Sequence, residues 1–499
     1  MGREDRYGKA RKQMEEQNQL LNSTADSPKG DTATAEGSQP SSAGQVAPKE
    51  LKKGNEALSP ITMEEIAKED NLRGAFERVK ANQGAPGVDG KTVEAVEVHL
   101  DEIIPKISKE LLSGKYEPGA IRRVWIPKPG GGQRGLGIPN VVERMVQQSV
   151  LEVMSPHYEP NFHPSSHGFR PGRSCHTAIA EAKQYVEDGY DWVVDIDLEK
   201  FFDQVNHQRL MSKLEIKISD KRVIVLIRRM LKANVVMPDG VVVTTEEGVP
   251  QGGPLSCLLS NIVLDELDWE LDSRGHRFVR YADDNNIYVQ SERAGLRVME
   301  STRQFIEKRL RLRINATKSA VAKPEERHFL GFRLKRDPLE GKVSVHLSRR
   351  SKKRIGGKIR GKTPRTWGKP VKKCIGKLNE YLIGWVQFFR ICTKEELQIF
   401  GSLDGHIRRR LRAIILKQCK RKRFVARRLI KLGVKPETAW NKVYQGHKSW
   451  WALSHDLSVH NALNNAYFAK LGLVSLTERW KKLNPPVAVV PVQLSMDFG

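Results

Sequence analysis

Apolar and polar positions follow two rhythms along this chain. Through residues 100–340, short runs of period two stand between stretches of helical period, the mixture of an α+β domain. Phe278-Val279-Arg280-Tyr281 and Asn285-Asn286-Ile287-Tyr288-Val289 flank a tight turn and predict a hairpin with Asp283 and Asp284 at its tip. At Trp192–Asp203 an apolar strand carries acids at alternate positions, so Asp195 and Asp197 share one face. Helical spacing predicts a helix over Val141–Val153 and another over roughly His176–Glu187, after the "RPGRS" turn. Leu378, Leu382, Trp385 and Phe389 also recur at helical spacing, as the packing face of a helix. Near the N-terminus, Thr62-Met63-Glu64-Glu65 is a capping-box pattern, and Ile66, Leu72, Phe76 and Val79 supply the buried stripe behind it. The loop "QGAPGVDG" ends that stretch.

Composition changes the picture at both ends. From Gly8 to Ala75 there is no Phe, Trp or Tyr, and residues 22–50 are mostly Ser, Thr, Ala, Gly, Pro and Gln. Such a segment buries too little apolar surface to offset its ordering entropy, which predicts a disordered leader. The 499 residues suffice for two or three domains and carry a net charge of +26, which favours polyanionic partners. Between Arg349 and Lys373 stand 12 Lys or Arg and no acid, and residues 408–431 hold another 12 without an acid. A solvated helix face normally interleaves Glu and Asp, so these blocks predict phosphate contacts. The five cysteines show no C-x-x-C pairing, which points to reduced thiols in a cytoplasmic protein; no apolar run is long enough for a membrane span. His447, His455 and His460 in the Trp-rich stretch after Gly433 lack the spacing of a metal site.

Adjacent carboxylates repel, and a divalent cation is their natural partner. A lone Asp-Asp in a turn is usually a solvated turn. The acidic strand upstream changes that reading, because an apolar strand ending in carboxylates and an Asp-Asp hairpin are the two halves of a two-metal nucleotidyl-transfer site.

"DLEKFFD" and "YADD" resemble the first catalytic strand and the active-site hairpin of reverse transcriptases, in the same order. "ANQGAPGVDG" (81–90), "RRVWIPKPGGGQRGLGIP" (122–139), "VQQSVLEVM" (146–154), "SSHGFRPGRSCHTAI" (165–179), "EEGVPQGGPLS" (246–256) and "HFLGFRL" (328–334) narrow the likeness. Together they resemble the group II intron-encoded reverse transcriptase/maturase, in its compact form without an endonuclease domain, from about Thr62 to Leu483. The resemblance implies right-hand polymerase fingers and palm with an antiparallel palm sheet, followed by an α-helical thumb/maturase domain. The expected divisions are a leader (1–60), an N-terminal extension helix and loop (61–92), fingers and palm (93–340), thumb/maturase domain (341–433), a small DNA-binding segment (434–485) and a tail (486–499).

Carried onto this chain, the resemblance makes Asp197, Asp283 and Asp284 the catalytic, metal-holding acids, with two Mg²⁺ ions and the Leu198 carbonyl completing a shell. Asp195 is expected outside that shell, and Asp203 is expected to cap the next helix. Arg122 and Lys128 would hold the triphosphate, with Arg134 a weaker candidate; Gly135 stands where the family often has Pro, which would loosen the fingertip. Gln251 would contact the nascent pair, Lys318 would act as general acid near the pyrophosphate, and Cys257 reads as a buried small residue. Phe202 is either core or the ring beneath the sugar that excludes ribonucleotides, and the family favours the ring. Arg408, Arg409 and Arg410 are the expected RNA contacts. The implied partners are the group II intron RNA, an RNA template/DNA primer duplex, target DNA and deoxynucleoside triphosphates, in a bacterial or archaeal cytoplasm. Alternatives are a splicing maturase without polymerase activity and a retron or CRISPR-associated reverse transcriptase.

Overall fold

The Thr62 hydroxyl accepts the Glu65 N–H at 3.3 Å and opens a helix, as the capping pattern asks. In this computed structural model, which describes residues 59–128, 131–445 and 449–485, that helix is short (Met63–Ala67) and a second runs Glu69–Ala81. The break at Lys68 has no breaker residue, and its freed carbonyls find side-chain donors instead. Ser149 Oγ donates to Ile66 O at 2.6 Å and Ser108 Oγ to Ala67 O at 2.7 Å. Ile66, Leu72, Phe76 and Val79 are all buried, so the expected stripe is real although the helix is split. The leader, apart from its last two residues, and the tail 486–499 lie outside the described residues, as does His447.

Contacts divide the chain into two units, with Ala322 closing the first; Val186–Gly189 belong to the second. Among the described residues the first unit holds two sheets. Strand β1 (Ile121–Pro127) pairs antiparallel with β2 (Gln133–Ile138). Further along come β3 (Trp192–Asp197), β4 (Val235–Val236), β5 (Val242–Val243), β6 (Arg277–Tyr281), β7 (Asp284–Val289) and β8 (Ala320–Ala322). The sheet β2-β1-β4-β5 joins β4 to β1 in parallel. The sheet β6-β7-β3-β8 is antiparallel throughout, as expected of a palm. Val194, Ile196 and Leu198 point into one core with Phe201, Phe278, Ile287 and the helix Leu255–Ser273. Alternation therefore puts Asp195 and Asp197 on the opposite face of β3. The two anticipated helices run Val141–Tyr158 and Cys175–Glu187.

The second unit opens with an antiparallel hairpin of β9 (Phe332–Arg336) and β10 (Val343–Leu347), and its other described elements are helices. Its helices include Arg349–Lys362, Val371–Phe388, Leu397–Gln418 and Lys422–Lys431. Leu378, Leu382, Trp385 and Phe389 are buried, with the Trp385 and Phe389 rings 4.7 Å apart. The stripe is core. Residues 434–445 and 449–485 form short helices that the same unit binds tightly. The buried Asp404 carboxylate accepts the N–H groups of Leu476 (2.9 Å) and Thr477 (3.1 Å), and Trp480 Nε1 donates to Cys392 O at 3.1 Å. All five cysteines are free. No helix among the described residues is long and apolar enough to cross a membrane.

Candidate active site

The hairpin of β6 and β7 turns through Ala282 and Asp283, with Ala282 in the left-handed region at φ 56°. Register then sets Asp284, first residue of β7, beside Asp197, last residue of β3. Asp195 stands two residues back, opposite Asn286. The acids predicted from two distant stretches thus meet at one edge of the palm sheet.

Their electrostatics are those of crowded like charges. Desolvation in the packed turn raises Asp283, and Asp197 adds to that rise while Arg134 opposes it. Desolvation first, then the charges of Asp283, Asp195 and Asp197, push Asp284 up to about 7. Asp284 is nevertheless exposed at its surface, where water offsets part of the desolvation and leaves the charges of Asp283, Asp195 and Asp197 to hold it up. A divalent cation would relieve that repulsion, and an all-oxygen donor set suits Mg²⁺. The acids are gathered but not closed: among the described residues no three His, Cys, Asp or Glu side chains stand in a metal-ligating group.

Lys318 donates to both carboxylate oxygens of Asp197, at 3.1 and 3.2 Å. The neighbouring loop grips the same strand end, with Asn315 N–H donating to Asp197 O at 2.8 Å. Leu198 is buried and forms an isolated bridge with Ile314. Asp203 does not cap the following helix His207–Glu215. Asn206 does, accepting the Arg209 N–H at 2.9 Å, because Asp203 still lies inside the short helix Phe201–Gln204.

Phe201 is core at 2% exposure, whereas Phe202 is half-buried against that core, its ring 5.1 Å from Phe201. Its backbone carbonyl accepts the Val249 N–H at 2.6 Å, tying it to the loop that carries Gln251. That loop is pressed on β2: Gln251 O accepts the Gly137 N–H at 2.7 Å, and a Cβ on Gly252 would meet Gly137 O at 2.3 Å. Gln251 is half-buried, and burial pushes the Cys257 thiol up, which makes it a poor nucleophile.

On β1, Arg122 is half-buried with its Nε unpartnered, and desolvation lowers its pKa. Lys128 is exposed at the strand's far end. Arg134, the weaker candidate, is a cation whose charge reaches both Asp283 and Asp284, while that of Arg280 also reaches Asp283. At Gly135 a side chain would have little room. Arg123 and Trp125 fill the space above it, and a Cβ there would meet Arg123 Nη1 at 2.6 Å and the Trp125 ring at 3.0 Å.

In the second unit the three arginines part company. Arg410 is buried: its Nε donates to Thr363 Oγ1 at 2.5 Å and its Nη2 to Thr363 O at 2.6 Å. It does not face outward as an RNA contact would. Arg408 and Arg409 are half-exposed, and Arg409 lies over the Trp451 ring at 4.1 Å. Sequence reasoning missed one further group. The loop Ser165–Phe169 packs directly on the acidic turn, and a Cβ on Gly168 would lie 2.2 Å from Ala282 N. The "SSHGF" string was the available signal.

Comparison with known proteins agrees with this fold. Residues 126–334 match the model of the reverse transcriptase (RNA-dependent DNA polymerase) family, and residues 352–433 match the maturase-specific domain of group II introns. Protein YkfC of Escherichia coli (strain K12) is 36% identical over 288 residues, covering 50% of this chain and 75% of that protein. The group II intron-encoded protein LtrA of Lactococcus lactis subsp. cremoris is 37% identical over 195 residues, 39% of this chain and 32% of LtrA. A putative COX1/OXI3 intron 2 protein of Saccharomyces cerevisiae is 27% identical over 367 residues, 62% of this chain and 42% of that protein. The chain thus spans less than half the length of these two intron proteins in what it matches. A reverse transcriptase domain carrying the acidic turn, followed by a maturase-specific helical domain, assigns this chain to the group II intron reverse transcriptase/maturase family.

Proposed function

We propose that this protein is an RNA-directed DNA polymerase of a group II intron, which copies intron RNA into cDNA and binds that RNA to assist splicing and mobility. The observation that carries the reading is the meeting of Asp197, Asp283 and Asp284 at one sheet edge, where desolvation, and after it the charge of the neighbouring acids, raises Asp283 and Asp284. These three acids would hold two Mg²⁺ ions, which when bound activate the primer 3′-hydroxyl and stabilise charge on the transferring phosphate. Arg122 and Lys128 hold the triphosphate, and Arg134, whose charge acts on the acids, joins them. Phe202 forms the floor beneath the sugar, consistent with its half-buried ring, and Gln251 meets the new base pair from the loop docked on β2. Lys318, paired with Asp197, must leave that carboxylate to serve as an acid at the pyrophosphate. Residues 93–340 act as fingers and palm, 341–433 as thumb and maturase domain, and 434–485 as the segment facing target DNA.

Primer extension on an RNA template with dNTPs tests the reading. Wild-type protein should require Mg²⁺ and copy the template, and Asp283→Ala or Asp197→Ala should reduce extension by at least about a thousandfold. Extension at the wild-type rate in either variant discards the site. Folded wild-type protein that does not extend a primer leaves a maturase that acts by RNA binding alone.

A further inference from the structure

Arg280 stands on β6 two residues before Ala282, yet its side chain is 1% exposed. All five of its N–H donors are used. Nε donates to Asp268 at 2.7 Å, and Nη2 donates to Asp268 at 2.6 Å and to Ser166 Oγ at 2.7 Å. Nη1 donates to Asn261 Oδ1 at 3.0 Å and to the Ala282 carbonyl at 2.9 Å. Asp268, Asn261 and Ser166 are themselves fully buried. The same loop holds the arginine's backbone, with Arg280 N donating to Ser165 O at 2.9 Å and His167 N donating to Arg280 O at 2.8 Å.

The target of Nη1 matters most. Ala282 is a non-glycine residue with left-handed φ, a conformation that persists only where its surroundings over-determine it. Its carbonyl belongs to the planar peptide that leads into Asp283, so fixing that oxygen fixes the plane from which the Asp283 side chain departs. Asn261 braces the other side by donating Nδ2 to Gly168 O at 2.9 Å.

We infer that Arg280, neutralised by Asp268, is the positioning residue of the acidic turn: it clamps the Ala282–Asp283 peptide and so sets the direction in which the Asp283 carboxylate leaves the turn. A lysine could meet Asp268, but it lacks the planar fork that reaches Asp268, Asn261 and Ala282 together. The turnover part of the test rests on the polymerase reading; the metal-binding part does not.

Removing one partner of a buried pair leaves the other uncompensated and can prevent folding. The test therefore uses Arg280→Met combined with Asp268→Leu, which removes both charges and keeps the volume apolar, alongside Arg280→Lys, which keeps the charge and loses the fork. Three quantities are read: thermal melting, Tb³⁺ luminescence titration of the protein without substrate, and kcat and KM for dNTP on an RNA template. A folded variant that lacks the clamp should bind Tb³⁺ more weakly by roughly tenfold, the usual cost of losing a group that orients a ligand. Its kcat should fall by about a hundredfold, as a misplacement of ångström size costs, with KM nearly unchanged. A folded variant with wild-type Tb³⁺ binding and wild-type kcat overturns the inference. If wild-type protein itself extends no primer, the polymerase reading fails alone and Tb³⁺ binding still decides the clamp.

Discussion

At the palm turn, Asp197, Asp283 and Asp284 crowd together with Lys318 bonded to one of them and Arg134 acting from the fingers sheet. On the helix Leu397–Gln418, Arg408, Arg409, Arg410 and Arg412 crowd as densely, and two of them turn inward. Arg410 spends its donors on Thr363 and Arg412 donates to Leu463 O at 3.2 Å, so neutral oxygens inside the fold hold them. Burial pushes Arg412 down to about 10. A run of one sign of charge therefore does not mark a binding surface by itself. The acids remain strained by one another, whereas half of these arginines have been absorbed into packing.

The largest effect that could break this contrast lies in the palm. Asp197→Ala should abolish primer extension, by about a thousandfold or more, and leave the melting temperature nearly unchanged. Arg410→Ala should do the reverse. Losing its hydrogen bonds to Thr363 should cost about 2–3 kcal/mol of stability by denaturant unfolding, and polymerisation in the surviving folded protein should persist. Stability unchanged in Arg410→Ala would return that residue to the surface.

Two adjacent rings sharpen the same distinction within the palm. Phe202→Ala should raise incorporation of CTP relative to dCTP by roughly ten- to a hundredfold in steady-state kinetics. Phe201→Ala, at the fully buried ring, should instead cost about 3–5 kcal/mol and leave sugar choice alone. Unchanged discrimination in folded Phe202→Ala sinks the gate.

Glu143 shows that a raised pKa is no better a marker than a charge run. Burial pushes it up to about 7, with the Gly119 N–H donating to it at 2.9 Å, and it lies on the helix Val141–Tyr158, with none of the three site acids among the causes of its shift. The folded state holds this proton while the unfolded chain releases it near pH 4.5, so stability falls as pH rises between about 4.5 and 7. Glu143→Gln should accordingly gain up to about 3 kcal/mol on wild type above pH 7, and the gain should vanish near pH 4. Melting curves that run parallel across that range would contradict the burial argument. The smallest effect belongs to the half-exposed arginines. Arg408→Ala and Arg409→Ala should each flatten the dependence of log K on log salt for RNA by about 0.7 where one phosphate contact is lost.

Features with a local periodic signature were legible in the sequence. The Thr62 cap, the alternation that puts Asp195 and Asp197 on one face, the acidic hairpin and the Leu378–Phe389 stripe all follow from spacing within a dozen residues or so, although the hairpin turns one residue earlier than the expected Asp283–Asp284 tip and Asp284 already opens β7. Features made by long-range pairing were not. Lys318 reaches Asp197 across 121 positions, and Arg410 reaches Thr363 across 47. Nothing near Lys68 announces a break, because the donors that stabilise it sit at Ser108 and Ser149. Arg280 is the hardest case: nothing in the run Phe278–Tyr281 marks it, and its partners Asp268, Asn261 and Ser166 lie 12, 19 and 114 positions away.

The claim that chemistry and RNA binding reside in separate regions is tested most directly by one paired measurement on Asp283→Ala: primer extension and affinity for the intron RNA from the same preparation. The account predicts extension lost by at least about a thousandfold with RNA affinity within about twofold of wild type. An Asp283→Ala protein that still extends primers, or that loses the RNA together with the activity, would contradict it.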